Sequence, residues 1–194
     1  MPKLKEEQKI LATLSDSDIR RLIGWKGEGV NLKRAHLVAL TILDCGLRVS
    51  EALSLRHKDV DLEELAVFVV GKGGKHRLVP ISKELRARLF RNVAHGIEDY
   101  LFQTRSGGKV TVRNMERDFK ALFKKIGIEG IRASPHTIRH TFAVCYLRNG
   151  GNLEFLRRCL GHSSLVTTQK YLKSLGVADL GAVHSSLSPL SARR

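Results

Sequence analysis

One segment of this sequence interrupts an otherwise helical hydrophobic pattern, and it constrains the fold more than any other. Residues 65–70 (LAVFVV) are an apolar run typical of a β-strand, and residues 75–81 (KHRLVPI) form a second run. The GKGG between them, residues 71–74, has the composition of a tight turn. We therefore predict an antiparallel β-hairpin inserted among helices.

Helical signals lie on both sides of this hairpin. Apolar residues recur at helical spacing, capping residues precede several of the runs, and glycines follow their ends. The predicted helices start at Ser15, Asn31, Val49, Ser82, Val112, Ser134, Asn152 and within residues 163–172, and an apolar pattern continues at Val177, Leu180 and Val183.

These elements predict one α+β domain that is mainly α-helical with a small antiparallel β-sheet, over residues 15–185. A chain of 194 residues suits one domain with its own core. We interpret residues 1–14 as a lead-in or linker remnant and residues 186–194 as a frayed basic tail.

The charge of the chain is far from balanced. Lysines and arginines number 34 against 19 acidic residues, which gives a net charge of +15. A folded domain with this excess repels itself unless a polyanion binds it, so nucleic acid is the favoured partner. An anionic membrane is the alternative, but we find no basic amphipathic helix, lipidation signal or apolar span that would support it.

The three cysteines, Cys45, Cys145 and Cys159, are widely spaced and lie among apolar residues. This pattern favours reduced core thiols of a cytoplasmic protein over a disulfide framework or a zinc site.

Several polar residues stand where packing alone does not require them. Each has a simpler interpretation on its own: the arginine and lysine as solvated charges, the histidines as surface groups, the tyrosine as a packing residue. These residues are Arg48 in DCGLRVSE, Lys72 in GKGGKHR, His136, Arg139 and His140 in PHTIRH, and His162 and Tyr171 in GHSSLVTTQKY.

Together these residues indicate a phosphate site. Arginine presents a planar fork that matches two phosphate oxygens and remains charged. The set has no carboxylate pair or cysteine–histidine group suited to a divalent metal, so the protein itself would neutralise the developing charge. We expect no metal and no cofactor. A tyrosine hydroxyl beside such a cluster is a credible nucleophile, and we expect the neighbouring cations to lower its pKa.

At these segments the sequence resembles the tyrosine recombinases, the phage integrases and Xer-type recombinases. DCGLRVSEAL is similar to the family's first-arginine segment, GKGGKHRLVPI to its hairpin-lysine segment, SPHTIRHTFA to its HxxR segment, and LGHSSLVTTQKY to its histidine–tyrosine segment. All four occur in the family's order, over residues 12–185.

The resemblance implies the fold of the recombinase catalytic domain and its chemistry. Tyr171 would attack a DNA phosphodiester and form a 3′-phosphotyrosyl link with release of a 5′-hydroxyl. Arg48 and Arg139 would hold the non-bridging oxygens of the transition state, and His162 would add a hydrogen bond.

The other roles also follow from the resemblance. Lys72 would protonate the leaving 5′-oxygen as general acid, and His136 would accept and return the proton of the nucleophile. Glu51 would hydrogen-bond within the site. His140 would orient the site or simply pack against it.

The implied partners are double-stranded DNA and further copies of the chain, as a dimer or tetramer in a synapse. Residues 177–187 would pack onto a neighbouring protomer or fold back onto their own. We expect the usual N-terminal core-binding domain to be absent, and the protein to lie in the cytoplasm on the nucleoid. The alternatives are relaxation like that of a type IB topoisomerase, and a catalytically idle DNA-binding relative.

The sequence departs from the family's usual pattern at some positions near these segments. Arg157, Arg158 and Cys159 stand where glutamine and apolar residues are more usual, and Val144 and Cys145 replace more usual polar residues. None of these positions matches a catalytic one.

Overall fold

The predicted hairpin is present, as two strands of a three-stranded antiparallel sheet. The computed structural model describes residues 12–91 and 99–190, and for Lys72 only the backbone. Its strands are β1 (Val60–Asp61), β2 (Ala66–Val70) and β3 (His76–Pro80), in the order β1-β2-β3. Strand β1 was not predicted, because two residues are too few to show an alternating pattern.

The sheet has one buried and one exposed face. Val67 pairs with Val79 on the buried face, whereas Phe68 pairs with Leu78 on the exposed face. Because side chains alternate along a strand, the next inward pair is Val69 with Arg77. The turn at Lys72–Gly74 needs glycine, since Gly73 and Gly74 have φ angles of 75° and 72°.

The helices account for most of the remaining described residues. They are α1 (Asp16–Gly24), α2 (Val30–Cys45), α3 (Val49–Ala52), α4 (Lys83–Phe90), α5 (Val112–Ile126), α6 (Pro135–Arg148), α7 (Leu153–Leu160), α8 (Leu165–Gln169) and α9 (Val177–Leu187).

Most predicted helix starts are confirmed by side-chain caps. Ser15, Ser82, Ser134 and Asn152 each accept a hydrogen bond from a backbone N–H in the first turn of the helix that follows.

Two predicted helix boundaries are wrong. Asn31 does not cap α2, which starts one residue earlier, after Gly29. The helix predicted within residues 163–172 ends at Gln169 and is followed by a 3-10 turn over Leu172–Ser174. Such end effects depend on tertiary packing, which a hydrophobic period does not reveal.

Helix α2 is the centre of the main core. Its residues Val38, Ala39 and Ile42 are fully buried, and α5 and α6 pack against it. A second, smaller cluster of buried residues joins α6, α7 and the segment after α8: Ala143, Val144, Leu147, Leu156, Leu160 and Tyr171.

At both ends of the predicted domain, ordered structure extends past the predicted boundary. Leu14, the last residue of the predicted lead-in, is buried, and its N–H donates to Thr141 Oγ1 at 2.9 Å. Helix α9 extends to Leu187, so the predicted tail overlaps its last residues. The cysteines are free thiols; Cys45 and Cys159 are buried as expected of core positions, whereas Cys145 is only half-buried.

The close contact at Gly46 yields a stability test. Gly46 ends α2 with a φ of 64°, and a Cβ there would lie 2.4 Å from the Phe142 ring. We expect Gly46→Ala to reduce the free energy of unfolding, measured in urea, by the left-handed strain of about 1–2 kcal/mol plus an overpacking cost of about 1–3 kcal/mol.

Gly130→Ala is the matched control for that substitution. Gly130 has a φ of 73° but no atom within 4 Å of a built Cβ, so it should show the strain alone. Equal losses in the two variants would contradict the packing argument.

Candidate active site

Arg48 and Glu51 are brought together by the short helix α3. Gly46 terminates α2, and Arg48 is the N-cap of α3. Glu51, three residues on, accepts from the Arg48 N–H at 2.8 Å and from its Nη1 at 2.9 Å. The Arg48 side chain remains 40% exposed, whereas that of Glu51 is 5% exposed. Arg48 is therefore exposed to solvent while it is held by the buried Glu51.

Glu51 is the carboxylate around which the site is organised. Arg77 donates to both of its oxygens, at 3.1 Å to Oε1 and 2.7 Å to Oε2, and Arg139 Nη1 lies 4.0 Å from Oε2. Burial raises the pKa of Glu51, but hydrogen bonds and charge from Arg77 and Arg48 outweigh burial and lower it. Glu51 is therefore ionised at neutral pH.

Arg139 lies buried between the ends of two helices. Its Nη1 donates to the Gly46 carbonyl at 2.6 Å and its Nη2 to the Leu160 carbonyl at 2.9 Å. Burial and the charge of Arg48 lower its pKa to about 10. Arg139 therefore stays charged at neutral pH, and the backbone fixes its guanidinium.

His162 follows Gly161 at the end of α7 and is held at both ring nitrogens. Nε2 lies 3.2 Å from Arg139 Nη2, and Nδ1 lies 3.0 Å from Thr168 Oγ1. An arginine can only donate, so Nε2 accepts, and a neutral ring carries its proton on Nδ1. Burial and the charge of Arg139 lower the pKa of His162 to about 4, which favours this neutral form.

Tyr171 is both a core residue and a neighbour of the arginine cluster. Its side chain is 1% exposed within the second core cluster. Its ring stacks on His162 at 6.4 Å and meets the edge of His140 at 5.7 Å. Lys170 Nζ lies 5.1 Å from the ring centroid.

Neighbouring cations act to lower the pKa of Tyr171, as expected, but burial outweighs them and the net shift is upward. Burial raises this pKa, and the charge and hydrogen bond of Arg139, with the charge of Arg48, offset only part of the increase. The hydroxyl is therefore protonated in this state, and an acceptor must take its proton before or during any attack on phosphorus.

The two histidines of PHTIRH lie at different depths. His140 is half-buried beside Tyr171, and burial with the charge of Lys170 lowers its pKa to about 4. His136 is exposed in the first turn of α6, and its charge contributes to the low pKa of His140. His140 therefore packs against the Tyr171 ring, although the sequence analysis assigned it only a supporting role.

Lys72 is described only through its backbone. It starts the turn between β2 and β3, as the sequence predicted, while its side chain lies outside the described part of the structure. The general-acid assignment stays a prediction.

The sequence interpretation missed two arginines of the site. Arg77 holds Glu51, and Arg157 donates to the His162 carbonyl at 2.6 Å while both Nε and Nη2 bind Glu154 at 2.7 Å. Arg77 had a readable signal, because alternation along β3 directs it inward. Arg157 had a weaker one, as a basic residue at a position where the family more often has glutamine.

An open cleft of about 720 Å³ lies between the hairpin and α7, and Arg48, Arg77, Arg157 and His162 line it, whereas Arg139 and Tyr171 do not. Its lining is strongly basic: Arg48, Lys75, His76, Arg77, Arg157, Arg158 and His162, with Gly71, Leu78, Gly161, Ser163 and Thr167. Such a lining suits a phosphate-bearing polyanion.

Comparison with known proteins identifies the family of this chain. The model of the phage integrase family matches residues 12–176. Tyrosine recombinase XerC of Chlamydia caviae is 36% identical over 133 residues, 65% of this chain and 42% of that protein. The chain thus spans less than half the length of that relative.

Two solved structures share the fold. The XerA recombinase matches with a TM-score of 0.78 and 30% identity, over 94% of this chain and 67% of that one. The catalytic domain of bacteriophage HP1 integrase matches with a TM-score of 0.64 and 27% identity, over 95% of this chain and 99% of that domain. The mainly helical fold with a small antiparallel sheet is thereby confirmed, and the chain belongs to the phage integrase family.

Proposed function

We propose that this chain is the catalytic domain of a tyrosine site-specific recombinase that cuts and rejoins DNA without a metal or cofactor. The observation that carries the proposal is that Arg48 and His162 line one basic cleft, while the buried Arg139 and Tyr171 contact His162 behind it. Glu51 binds Arg48 from the buried side. Family membership supports the same activity.

The proposed reaction is a transesterification. The Tyr171 oxygen bonds to phosphorus, the bond from phosphorus to the 5′-oxygen breaks, and a 3′-phosphotyrosyl link remains. Arg48 and Arg139 stabilise the charge on the non-bridging oxygens. Lys72 gives a proton to the leaving oxygen, and His136 accepts the proton of Tyr171. Since one phosphodiester replaces another, the step is reversible.

The resting contacts suggest an order of events. The Arg48 side chain is 40% exposed and that of Arg139 only 7%, so Arg48 would meet a phosphate before Arg139. His162 Nε2 is an acceptor, so His162 cannot donate to the phosphate until its contact with Arg139 rearranges, while two donors of Arg139 already bind backbone carbonyls. In this scheme DNA binding itself completes the site.

Charge supports double-stranded DNA as the partner. Helix α5 is a basic amphipathic helix that the sequence analysis did not identify, but its apolar residues Met115, Phe119 and Leu122 are buried in the core and not available to a membrane. Its opposite side carries exposed basic residues at helical spacing: Arg113, Arg117, Lys120 and Lys124. With a net charge of +15, the chain would be attracted to DNA, and this stripe would contact phosphates of the duplex.

We also propose a location on the nucleoid in the cytoplasm. Within residues 12–91 and 99–190, no helix combines the length and apolarity needed to cross a bilayer.

The last helix supports assembly with further copies on DNA. None of the residues of α9 is buried, and Val177, Leu180 and Leu187 are exposed, Val177 by 88%. An ion pair of 3.2 Å between Arg148 and Asp179 holds α9 against α6. We propose that α9 leaves this position and packs onto a neighbouring protomer in a dimeric or tetrameric synapse.

Replacing the nucleophile tests the reaction. Nicked duplexes with a randomised centre, incubated in EDTA, should yield covalent protein–DNA adducts with the wild-type chain. Tyr171→Phe should yield none, because only the attacking oxygen is removed, while DNA retention on a filter stays nearly unchanged. Denaturing electrophoresis measures the adducts.

Tyr146→Phe is the control for this experiment, because Tyr146 packs against the same core cluster. It should retain adduct formation. Adducts persisting in Tyr171→Phe, or a strict need for a divalent metal, would show the mechanism to be wrong.

The basic stripe on α5 predicts the salt dependence of binding. If Arg113 and Lys120 each contact a phosphate, Arg113→Gln/Lys120→Gln should reduce the slope of log K against log salt by about 0.9 per contact, measured by fluorescence anisotropy. Lys26→Gln/Lys83→Gln removes the same charge elsewhere and serves as control. Equal slopes in the two double variants would place the DNA on another surface.

The exposed face of α9 predicts assembly on DNA. Leu180→Asp should reduce the dimers and tetramers seen by sedimentation on adduct-forming duplexes, because it puts a charge into the proposed contact. Binding of single copies should be unaffected. Ser185→Asp, at an exposed position of the same helix, is the control, and identical sedimentation of both variants would argue against the contact.

A further inference from the structure

We propose that Arg77 is a positioning residue of the cleavage reaction: it immobilises Glu51 so that Arg48 keeps donors available for phosphate. This inference rests on the proposed function and assigns a role to a residue outside the predicted catalytic set.

The register of the sheet directs Arg77 inward. It pairs with Val69, on the face that buries Val67 and Val79. Its side chain is only 13% exposed. A buried guanidinium is costly unless its donors are satisfied, so the identity of its partners reveals its role.

All three nitrogens of Arg77 have partners. Nη1 and Nη2 donate to Glu51 Oε1 and Oε2 at 3.1 and 2.7 Å, and Nε donates to the Cys159 carbonyl at 2.9 Å. Arg48, by contrast, makes one side-chain contact with Glu51 and is 40% exposed. Arg77 is therefore placed to hold other groups, and Arg48 to bind substrate.

These contacts join three elements that bear on the site. Arg77 lies on β3, Glu51 on α3, and Cys159 in the last turn of α7, three residues before His162. The fit at that turn is close, because a Cβ on Gly161 would lie 3.0 Å from Arg77 Cζ. The Arg77 side chain thus links Glu51, the partner of Arg48, to the end of the helix that precedes His162.

The chemistry of the carboxylate explains why Glu51 needs a second arginine as partner. A free carboxylate beside an arginine prefers the two-point pairing of both oxygens with both terminal nitrogens. In such a pair Glu51 would occupy the donors that Arg48 needs for phosphate. Because Arg77 already takes the two-point geometry, Arg48 is left with a single side-chain contact to Oε1.

Lysine cannot replace arginine in this role. Its ammonium is a single charged centre without a planar fork, so it cannot fix both carboxylate oxygens and the Cys159 carbonyl together. Arg77→Lys therefore preserves the charge but removes the geometry, which separates the two contributions.

The experiment compares Arg77→Lys and Arg77→Gln with wild type in single-turnover adduct formation. The substrates are a nicked duplex recovered from the randomised pool and the same duplex with a methylphosphonate at the scissile position. A methyl group in place of a non-bridging oxygen removes the charge that arginines stabilise. Loss of correct placement should slow cleavage of the phosphate duplex by about 10- to 100-fold in both variants.

On the methylphosphonate duplex the same variants should lose less than about 3-fold relative to wild type, since little charge remains to be stabilised. Arg86→Gln is the control, because Arg86 also donates to a backbone carbonyl, that of Leu62, but at an exposed site. Thermal unfolding of each variant is measured, and the charge-conserving Arg77→Lys keeps the test usable if Arg77→Gln unfolds.

The outcomes separate the two proposals. Equal losses on both duplexes indicate a merely structural role and overturn the inference, as does wild-type activity in Arg77→Lys. Absence of any Tyr171-dependent adduct with the wild-type chain instead overturns the proposed function.

Discussion

The site depends on one buried carboxylate that serves several arginines. Glu51 contacts Arg48 and Arg77 directly and lies 4.0 Å from Arg139. One negative charge among three positive charges leaves the cluster net positive, so the guanidiniums are held in place without losing their attraction for phosphate. Removing the carboxylate would leave buried like charges facing each other, which is far more costly than loss of a surface ion pair.

Glycine turns at the ends of two helices position further residues of the site around Glu51. Gly46 and Gly161 adopt left-handed conformations at the ends of α2 and α7, and each turn delivers a residue of the site, Arg48 or His162, shortly afterwards. Tyr171, the proposed nucleophile, is different, since it belongs to a packed cluster and has a raised pKa. In the resting molecule the arginines are thus held in place, and the Tyr171 hydroxyl is protonated.

The sequence predicted the main elements of this fold because their signals are local. The hairpin, the capped helices and the order of the functional segments all follow from neighbouring residues. Strand β1 was not predicted because it is too short to show a pattern. The early end of α8 was not predicted because it depends on packing. Within the site, the inward Arg77, the tautomer of His162 and the net effect of burial on Tyr171 depend on contacts between distant segments, such as the 26 residues that separate Arg77 from Glu51.

The two carbonyls that hold Arg139 have a further consequence. Both belong to helix C-termini, Gly46 after α2 and Leu160 in α7, where aligned peptide dipoles concentrate partial negative charge. The protein thereby stabilises a buried cation with backbone dipoles in place of a second acid. Dipoles attract the guanidinium but repel a polyanion far less than a full carboxylate would, so Arg139 is stabilised without a second acid that would oppose the binding of phosphate.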